Sequence, residues 1–394
     1  MSLCYFVALP AVINSAEPAD SDELLSPGLN SEDNATHLAG YADVSYFLTQ
    51  GTSDDLISAK IAPILHYQRK EWLFFEAEGE FDYERDDSSE RGAALEYATI
   101  NFILNDNMAL GVGRYLSPVG QFIQNLHPSW INKLPTAPIG FSGGHDGIGA
   151  APNADFGVQL RGGYETGKNS RINYAVFAGN GPDLVVEETE NGELVIEGLQ
   201  FPAKISDSGG EKTAGFRLGF LPLPYLEVGV SFDGGNAELA GIKPPDEHED
   251  ETEDDHGEEE EDDHDADSTT RVLRDRSYRV IAFDFYYAPP QLKDLKFRGE
   301  FVSTKLGDGE LDEFDRESKE WQAGDIQGVY AMANNKIESV IRYGYYDFPE
   351  SPSGDRWDFG MNYLFNSHSI AKVAYEFNGD DSLDRLVFQY AYGF

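Results

Sequence analysis

The sequence predicts an all-β fold, a transmembrane antiparallel β-barrel of about 16 strands. Apolar and polar residues alternate along most of the chain, and short connections alternate with longer ones. The 394 residues include 40 Gly, 21 Tyr and 25 Phe, which is typical of sheet proteins rather than helical bundles. No internal stretch approaches the roughly 20 apolar residues of a spanning helix. Residence in a membrane therefore requires a closed barrel, in which every backbone polar group is hydrogen-bonded.

The first residues have the pattern of a secretory signal. An apolar segment, Leu3 to Ile13, is followed by small residues around Ala16, but no basic residues precede it. We expect 1–16 to be a truncated signal peptide. A buried N-terminal strand is the alternative. Cleavage would leave 17–36 as a periplasmic segment before the barrel, 37–394, and would remove the only cysteine, Cys4.

The period of two indicates strands with two chemically different faces. One strand places Leu73, Phe75 and Phe81 on one face, opposite glutamates and aspartates on the other. A soluble sandwich would show the same alternation, so connection lengths have to distinguish the two folds. Strands are predicted near 37–48, 57–68, 71–85, 93–104, 108–116, 154–164, 171–180, 212–221, 225–233, 274–287, 295–305, 320–332, 337–347, 356–365, 370–378 and 385–394.

Every second connection between these strands is short, and the others include all the long ones: 117–153, 181–211 and 234–273. This alternation is typical of outer-membrane barrels, which have periplasmic turns and external loops. An even number of strands also returns both chain ends to the periplasmic side. We therefore expect the outer membrane of a Gram-negative bacterium, with outer-membrane lipid and lipopolysaccharide as neighbours.

The last strand supports the same location. Leu386, Phe388, Tyr390, Tyr392 and Phe394 share one face, and the sequence stops at that phenylalanine. An aromatic strand ending in phenylalanine resembles the signal through which the outer-membrane assembly machinery recognises its substrates. That machinery is therefore an expected partner of the C-terminal strand.

Two segments carry a family resemblance. Gly111-Val112-Gly113-Arg114-Tyr115-Leu116-Ser117-Pro118-Val119-Gly120 and His127-Pro128-Ser129-Trp130-Ile131-Asn132-Lys133-Leu134-Pro135 look like the phosphate-selective porin O/P superfamily. The resemblance implies a sixteen-stranded porin that assembles as a homotrimer, with its third external loop folded into the pore. The chain departs from the family in charge. Basic arrays are not evident and the net charge is −42, so the function predicted is passive diffusion of small hydrophilic solutes or ions.

The polar face is expected to point inward and form the pore wall. Charges of both signs lie on it in similar numbers, which predicts at most a weak cation preference. The alternative is that many of these residues only pair with one another. The predicted pore-lining residues are Glu76, Glu78, Arg114, Arg161, Arg217, Arg298, Arg342 and Asp358.

The third external connection, 117–153, is nearly free of charge and carries large apolar side chains. An exposed loop does not normally present so much apolar surface. We expect it to form a constriction through Phe122, His127, Trp130 and Lys133. A contact between protomers would hide the same residues.

An acidic insert interrupts the second half of the chain. Residues 246–267 contain 16 carboxylates and three histidines, His248, His256 and His264. Charge repulsion of this density predicts a disordered or extended external loop, 243–270. A solvated acidic loop is the simpler hypothesis. Capture of Zn, Cu or Ni by the imidazoles, or of Ca by the carboxylates, is the alternative.

Other functional classes receive little support from the sequence. No histidine outside the acidic insert lies near a serine in a nucleophile motif. Neither a phosphate-cradling loop nor a basic nucleic-acid surface is present. We therefore predict a protein that is not an enzyme, binds no nucleic acid and requires no cofactor. A metal-capturing barrel is the first alternative, and an outer-membrane enzyme is the second.

Overall fold

The computed structural model describes residues 34–52, 56–85, 91–141, 149–188, 194–201, 212–237, 275–309, 315–349, 351–379 and 383–394. No helix in these ranges has the length and apolar character needed to cross a membrane. The predicted signal peptide and most of the predicted periplasmic segment lie outside the described residues.

The described ranges contain eighteen strands, of which sixteen close into one antiparallel barrel. The barrel strands are β1 (Asn34–Thr49), β2 (Leu56–Arg69), β3 (Leu73–Arg85), β4 (Arg91–Asn105), β5 (Met108–Leu116), β6 (Ala154–Glu165), β7 (Arg171–Gly179), β10 (Thr213–Leu223), β11 (Leu226–Ala237), β12 (Arg276–Tyr287), β13 (Leu295–Leu306), β14 (Lys319–Met332), β15 (Ile337–Phe348), β16 (Ser351–Leu364), β17 (Ser369–Asn378) and β18 (Arg385–Gly393). Each strand pairs with its neighbour in sequence, apart from the β7–β10 and β1–β18 pairs. The predicted fold is confirmed.

Two further strands were not predicted. β8 (Asp183–Glu188) and β9 (Leu194–Gln200) form a separate two-stranded sheet in the connection between β7 and β10. The sequence did carry a signal for this hairpin, the Asn191-Gly192 pair, because that dipeptide favours tight turns between strands. Smaller differences concern strand ends, since β1 begins at Asn34 rather than at His37.

The two faces of the barrel differ as the alternation predicted. On β16, Phe359 and Met361 are 49% and 54% exposed, whereas Asp358 and Asn362 are each 1% exposed. Large apolar side chains are exposed in the same way on strands all around the barrel. Such a continuous apolar belt is incompatible with water but matches the hydrocarbon core of a membrane.

The seam between β1 and β18 extends to Gly40 and Phe394. Two backbone hydrogen bonds lie beyond the paired residues of β1 and β18. The N–H of Gly40 donates to the Phe394 carbonyl oxygen at 2.9 Å, and the N–H of Phe394 donates to the Gly40 carbonyl oxygen at 2.8 Å. Gly40 has φ +153°, and a Cβ there would lie 2.4 Å from the Ala62 carbonyl oxygen. A side chain at position 40 would therefore disturb the seam.

An apolar cluster fills part of the barrel interior on the external side. Phe122 and Phe141 of the third connection belong to it, together with Leu184 and Ile196 of the β8–β9 hairpin. The backbone N–H of Ile196 also donates to the Asp315 carboxylate at 2.7 Å. The interior is thus occupied by two inserted segments rather than by wall side chains alone.

Candidate functional site

The third connection, 117–153, is here called loop 3, and its described residues, 117–141 and 149–153, lie inside the barrel. Its first anchor is Glu300 on β13, whose Oε2 accepts the backbone N–H groups of Gln121 and Phe122 at 2.8 and 2.9 Å. Beside them, Gly120 N–H donates to Ser231 Oγ at 3.1 Å. Gly120 has φ +72°, and a Cβ there would lie 1.8 Å from Glu300 Oε1. The close approach of loop and wall therefore requires glycine at this position.

A second anchor lies on β15 and β16. The Arg342 guanidinium donates to the carbonyls of Thr136 and Ala137 at 3.1 and 3.0 Å, and Arg356 donates to Ala137 at 2.8 Å. Asp358 holds Arg342 through an ion pair of 2.7 Å. Arg342 and Asp358 were predicted to line the pore. The structure instead places both behind loop 3, almost fully buried, where they fix the loop.

A third anchor extends to β18. Lys133 Nζ forms an ion pair of 2.9 Å with Glu338 Oε2, and Asn362 donates to the Lys133 carbonyl at 2.9 Å. Gln389 donates to the Pro135 carbonyl at 3.2 Å. Since these partners lie on β15, β16 and β18, loop 3 crosses the interior from the Glu300 side to the barrel seam. The constriction hypothesis agrees with this path.

A short π-helix, Phe122–Leu126, shapes the inner part of loop 3. Directly after it, His127 Nδ1 lies 2.5 Å from the Ile123 carbonyl oxygen, so Nδ1 carries a proton and donates. His127 Nε2 is buried without a hydrogen-bond partner among the described residues. Desolvation lowers the pKa of His127, although the negative charge of Glu96 opposes the shift.

A cavity of about 560 Å³ lies between loop 3 and the periplasmic turns. It brings together residues from distant strands, because loop 3 spans the barrel above it. Six of the predicted residues line it: Phe122, Trp130 and Lys133 from loop 3, and Arg161, Arg217 and Arg298 from the wall.

Most charged side chains around the cavity form ion pairs with neighbouring side chains of opposite charge. Arg217 pairs with Asp284 at 2.7 Å and Glu227 at 3.4 Å, and it donates to Asn173 at 2.7 Å. Buried pairs of this kind fix side-chain orientation but leave little net charge for an ion to meet. The pore wall therefore offers polar contacts to a solute, but it creates no strong electrostatic potential of one sign.

The β13 side of the cavity is less neutral. Arg298 donates to Gln327 at 3.0 Å and lies over the Phe122 ring, with its guanidinium carbon 5.7 Å from the ring centroid. Lys296, two residues earlier on the same face, forms no hydrogen bond or ion pair with any residue that the structure describes. Both cations are thus available to a solute.

Three other predicted residues take supporting positions. Arg161 pairs with Glu76 at 3.3 Å. Glu78 is 1% exposed, with hydrogen bonds to the side chains of Tyr41 and Tyr97. Arg114 donates through Nε to the backbone carbonyl oxygens of Leu95 and Glu96, at 3.0 and 3.1 Å.

Sequence analysis missed the uncharged contacts of loop 3. Thr136 donates to the Glu376 carboxylate, and Gln389 reaches Pro135. Only Gln389 had a usable signal, because it alternates with the aromatic residues of the last strand and must therefore face inward. Thr136 lies in an irregular segment, where no period indicates side-chain direction.

The structure does not describe the acidic insert. Loop 243–270, with His248, His256 and His264, lies outside the described residues. Within the described ranges, no group of three or more His, Cys, Asp and Glu residues is arranged to hold a metal ion.

No protein-family model and no curated protein matches this sequence. Solved structures do match in fold. An anion-selective porin from Comamonas acidovorans aligns with TM-score 0.53 and 12% identity, over 92% of this chain and all of that one. OmpF of Salmonella typhi, in complex with daunomycin, aligns with TM-score 0.52 and 12% identity, over 93% and 99%.

OmpT of Vibrio cholerae, in a trimer form, aligns with TM-score 0.50 and 11% identity, over 92% of this chain and 99% of that one. At such identities the similarity concerns the fold, which is that of bacterial outer-membrane porins. The resemblance to the phosphate-selective superfamily stays a prediction. A closed sixteen-stranded barrel with an apolar outer belt places the chain in the outer membrane of a Gram-negative bacterium.

Proposed function

We propose that this protein is a passive diffusion channel for small hydrophilic solutes and ions. The observation that carries the proposal is loop 3, which is anchored across the interior and leaves a cavity of about 560 Å³ lined by charged and polar side chains. A barrel that served only as a surface scaffold would have no need of a charge-lined cavity next to an inserted loop. Passive diffusion requires no cofactor.

We further propose at most a weak cation preference. Pairing of the wall charges, as at Arg217 and Asp284, supports little selection by the wall itself. The overall charge of −42, much of it in the acidic insert, favours cations near the external opening.

A homotrimer in contact with outer-membrane lipid and lipopolysaccharide belongs to the same proposal. It is supported by the porin fold and by the apolar belt, whose Phe359 and Met361 are suited to lipid or a second copy of the chain. Insertion would depend on the assembly machinery recognising the strand that ends at Phe394. Cross-linking of the purified protein, followed by mass measurement in detergent, tests the trimer.

Single-channel recording in planar bilayers tests the channel. Trp130 lines the cavity and its ring lies against Gly393 on the seam, so Trp130→Ala is expected to raise conductance. Trp72→Ala is the matched control, because Trp72 is 45% exposed and stacks on Phe102 at a periplasmic turn. It should leave conductance unchanged.

Absence of conductance steps from correctly folded protein, together with no solute flux into liposomes, would overturn the channel proposal. A change caused equally by both tryptophan variants would show that conductance does not report on loop 3.

A further inference from the structure

Two histidines face one another across neighbouring strands near the periplasmic end of the barrel. His37 on β1 is the direct register partner of His66 on β2. Their ring centroids are 6.1 Å apart, and the ring planes differ by 11°. His66 shares the inward face with Lys60, whereas the adjacent Leu65 is 40% exposed on the outer face. The imidazole pair therefore lies on the inner wall.

A carboxylate lies next to this pair. Glu76 on β3 is the register partner of His66. Its Oε1 accepts hydrogen bonds from Asn101 at 3.2 Å and Arg161 at 3.3 Å. Those bonds, with a third from Thr99 at 3.4 Å, orient the Glu76 side chain toward β4 and β6, and its negative charge still acts on the His66 imidazole. The site thus offers two imidazoles on adjacent strands, and the nearby Glu76 supplies negative charge rather than a third ligand.

We propose that His37 and His66 bind a divalent transition-metal ion, Zn²⁺, Cu²⁺ or Ni²⁺, at the periplasmic mouth of the barrel. Imidazole nitrogen is a preferred ligand of these ions. Because a metal–nitrogen bond is about 2.1 Å long, two imidazoles that share one ion have ring centroids roughly 5–6.5 Å apart. The separation of 6.1 Å falls in that range, and binding requires both rings to turn out of their near-parallel arrangement, with His66 moving against Phe74, so that one nitrogen from each points toward a common ion.

The strand register lowers the cost of binding, since it already holds both histidines side by side. The remaining coordination positions are filled by water, with Glu76 adding negative charge nearby. Two protein ligands make a weaker site than the three or four of structural zinc centres. The site is exchangeable and open to the lumen, and it lies at the end of the barrel opposite to Ala237 and Arg276, the strand ends between which the acidic insert occurs in the sequence. It does not depend on the channel proposal.

Titration calorimetry with ZnCl₂ or NiCl₂ on the full chain in detergent tests the site. The background carries His248→Gln, His256→Gln and His264→Gln, which removes the imidazoles of the acidic insert. Expected is one ion bound per chain, with affinity falling at least tenfold in His37→Gln and in His66→Gln. The matched control is His368→Gln, an exposed histidine in the turn between β16 and β17, which should bind like the background.

Protons compete with the metal ion for imidazole nitrogen, so affinity in the background should also weaken on acidification. Equal affinities in the background, His37→Gln and His66→Gln would overturn the proposal and leave the pair as a cross-strand aromatic contact. The gel mobility of each variant is compared before and after heating, which shows whether the variant has folded into a barrel.

Bilayer recording also tests on which side of the membrane the metal site lies. Metal added to the periplasmic side should reduce conductance in the background and have no effect in His37→Gln. Conductance before metal addition tests the channel, and metal binding tests this site, so the failure of one is distinguishable from the failure of the other.

Discussion

Glu300 on β13 holds Phe122 of loop 3 from across the interior, through a backbone hydrogen bond of 2.9 Å to Oε2. The same oxygen accepts the N–H of Gln121 at 2.8 Å. One wall carboxylate therefore satisfies two consecutive backbone donors where the loop enters the π-helix, because the N-cap residue Gln121 forms no capping hydrogen bond with its own side chain. The position of the constriction depends on this contact.

Removing that carboxylate should loosen the loop. Each of these hydrogen bonds contributes on the order of 1 kcal/mol, so Glu300→Ala is expected to raise single-channel conductance and its noise while the barrel still folds. Glu320→Ala is the control, because Glu320 lies outside the lumen, bonded to Ser303 and Gln322. Wild-type conductance in Glu300→Ala would contradict the anchoring role.

Gly120 and Gly51 provide a second matched pair. Both have positive φ, +72° and +84°, so alanine strains the backbone at either site. Only at Gly120 would the new Cβ meet Glu300, whereas nothing lies within 4 Å of Gly51. We expect Gly120→Ala to lower the thermal unfolding temperature and alter conductance, and Gly51→Ala to do much less. Similar effects in both variants would show that strain alone matters.

Acidification should destabilise loop 3 through His127. Burial lowers its pKa, so below the ordinary histidine value of about 6.5 the unfolded chain binds a proton more readily than the folded one. Stability is therefore present above that pH and is lost as pH falls. Protease sensitivity of the loop between pH 8 and 5 should rise less in His127→Gln than in wild type. An identical rise in both would exclude His127 as the cause.

Deletion of Phe394 should impair assembly. The deletion removes both backbone bonds to Gly40 and the aromatic residue that directly follows β18. Deletion of one residue from 246–267 is the control, and its yield of folded barrel in membranes should match wild type. Equal losses would count against both the seam contact and the recognition signal.

The acidic insert makes two separable predictions. Its carboxylates should enrich cations at low salt, and the effect should fade near physiological ionic strength, where screening acts over about 8 Å. Reversal potentials in salt gradients measure this preference. Replacing His248, His256 and His264 with glutamine should preserve it while lowering zinc or copper affinity. Unchanged metal affinity would leave the histidines as members of a solvated loop.

The sequence by itself determined the sixteen barrel strands, their faces and the closed barrel. Its period of two assigned Phe359 outward and Asp358 inward, because successive side chains on a strand point to opposite faces. The alternation of short and long connections then distinguished a membrane barrel from a sandwich. Both inferences depend on neighbours in sequence, which is why they required no tertiary information.

Only the tertiary structure decided what the inward residues do. Arg217 and Arg342 occupy equivalent inward positions and form similar ion pairs, yet Arg217 lines the cavity and Arg342 is buried beneath loop 3. The difference arises from Thr136 and Ala137, which lie about 200 residues from Arg342 in sequence and contact it through backbone carbonyls. A carbonyl is present at every residue, so no pattern of side chains indicates which one an arginine will meet. Loop 3 had to be folded across the lumen before its partners could be identified.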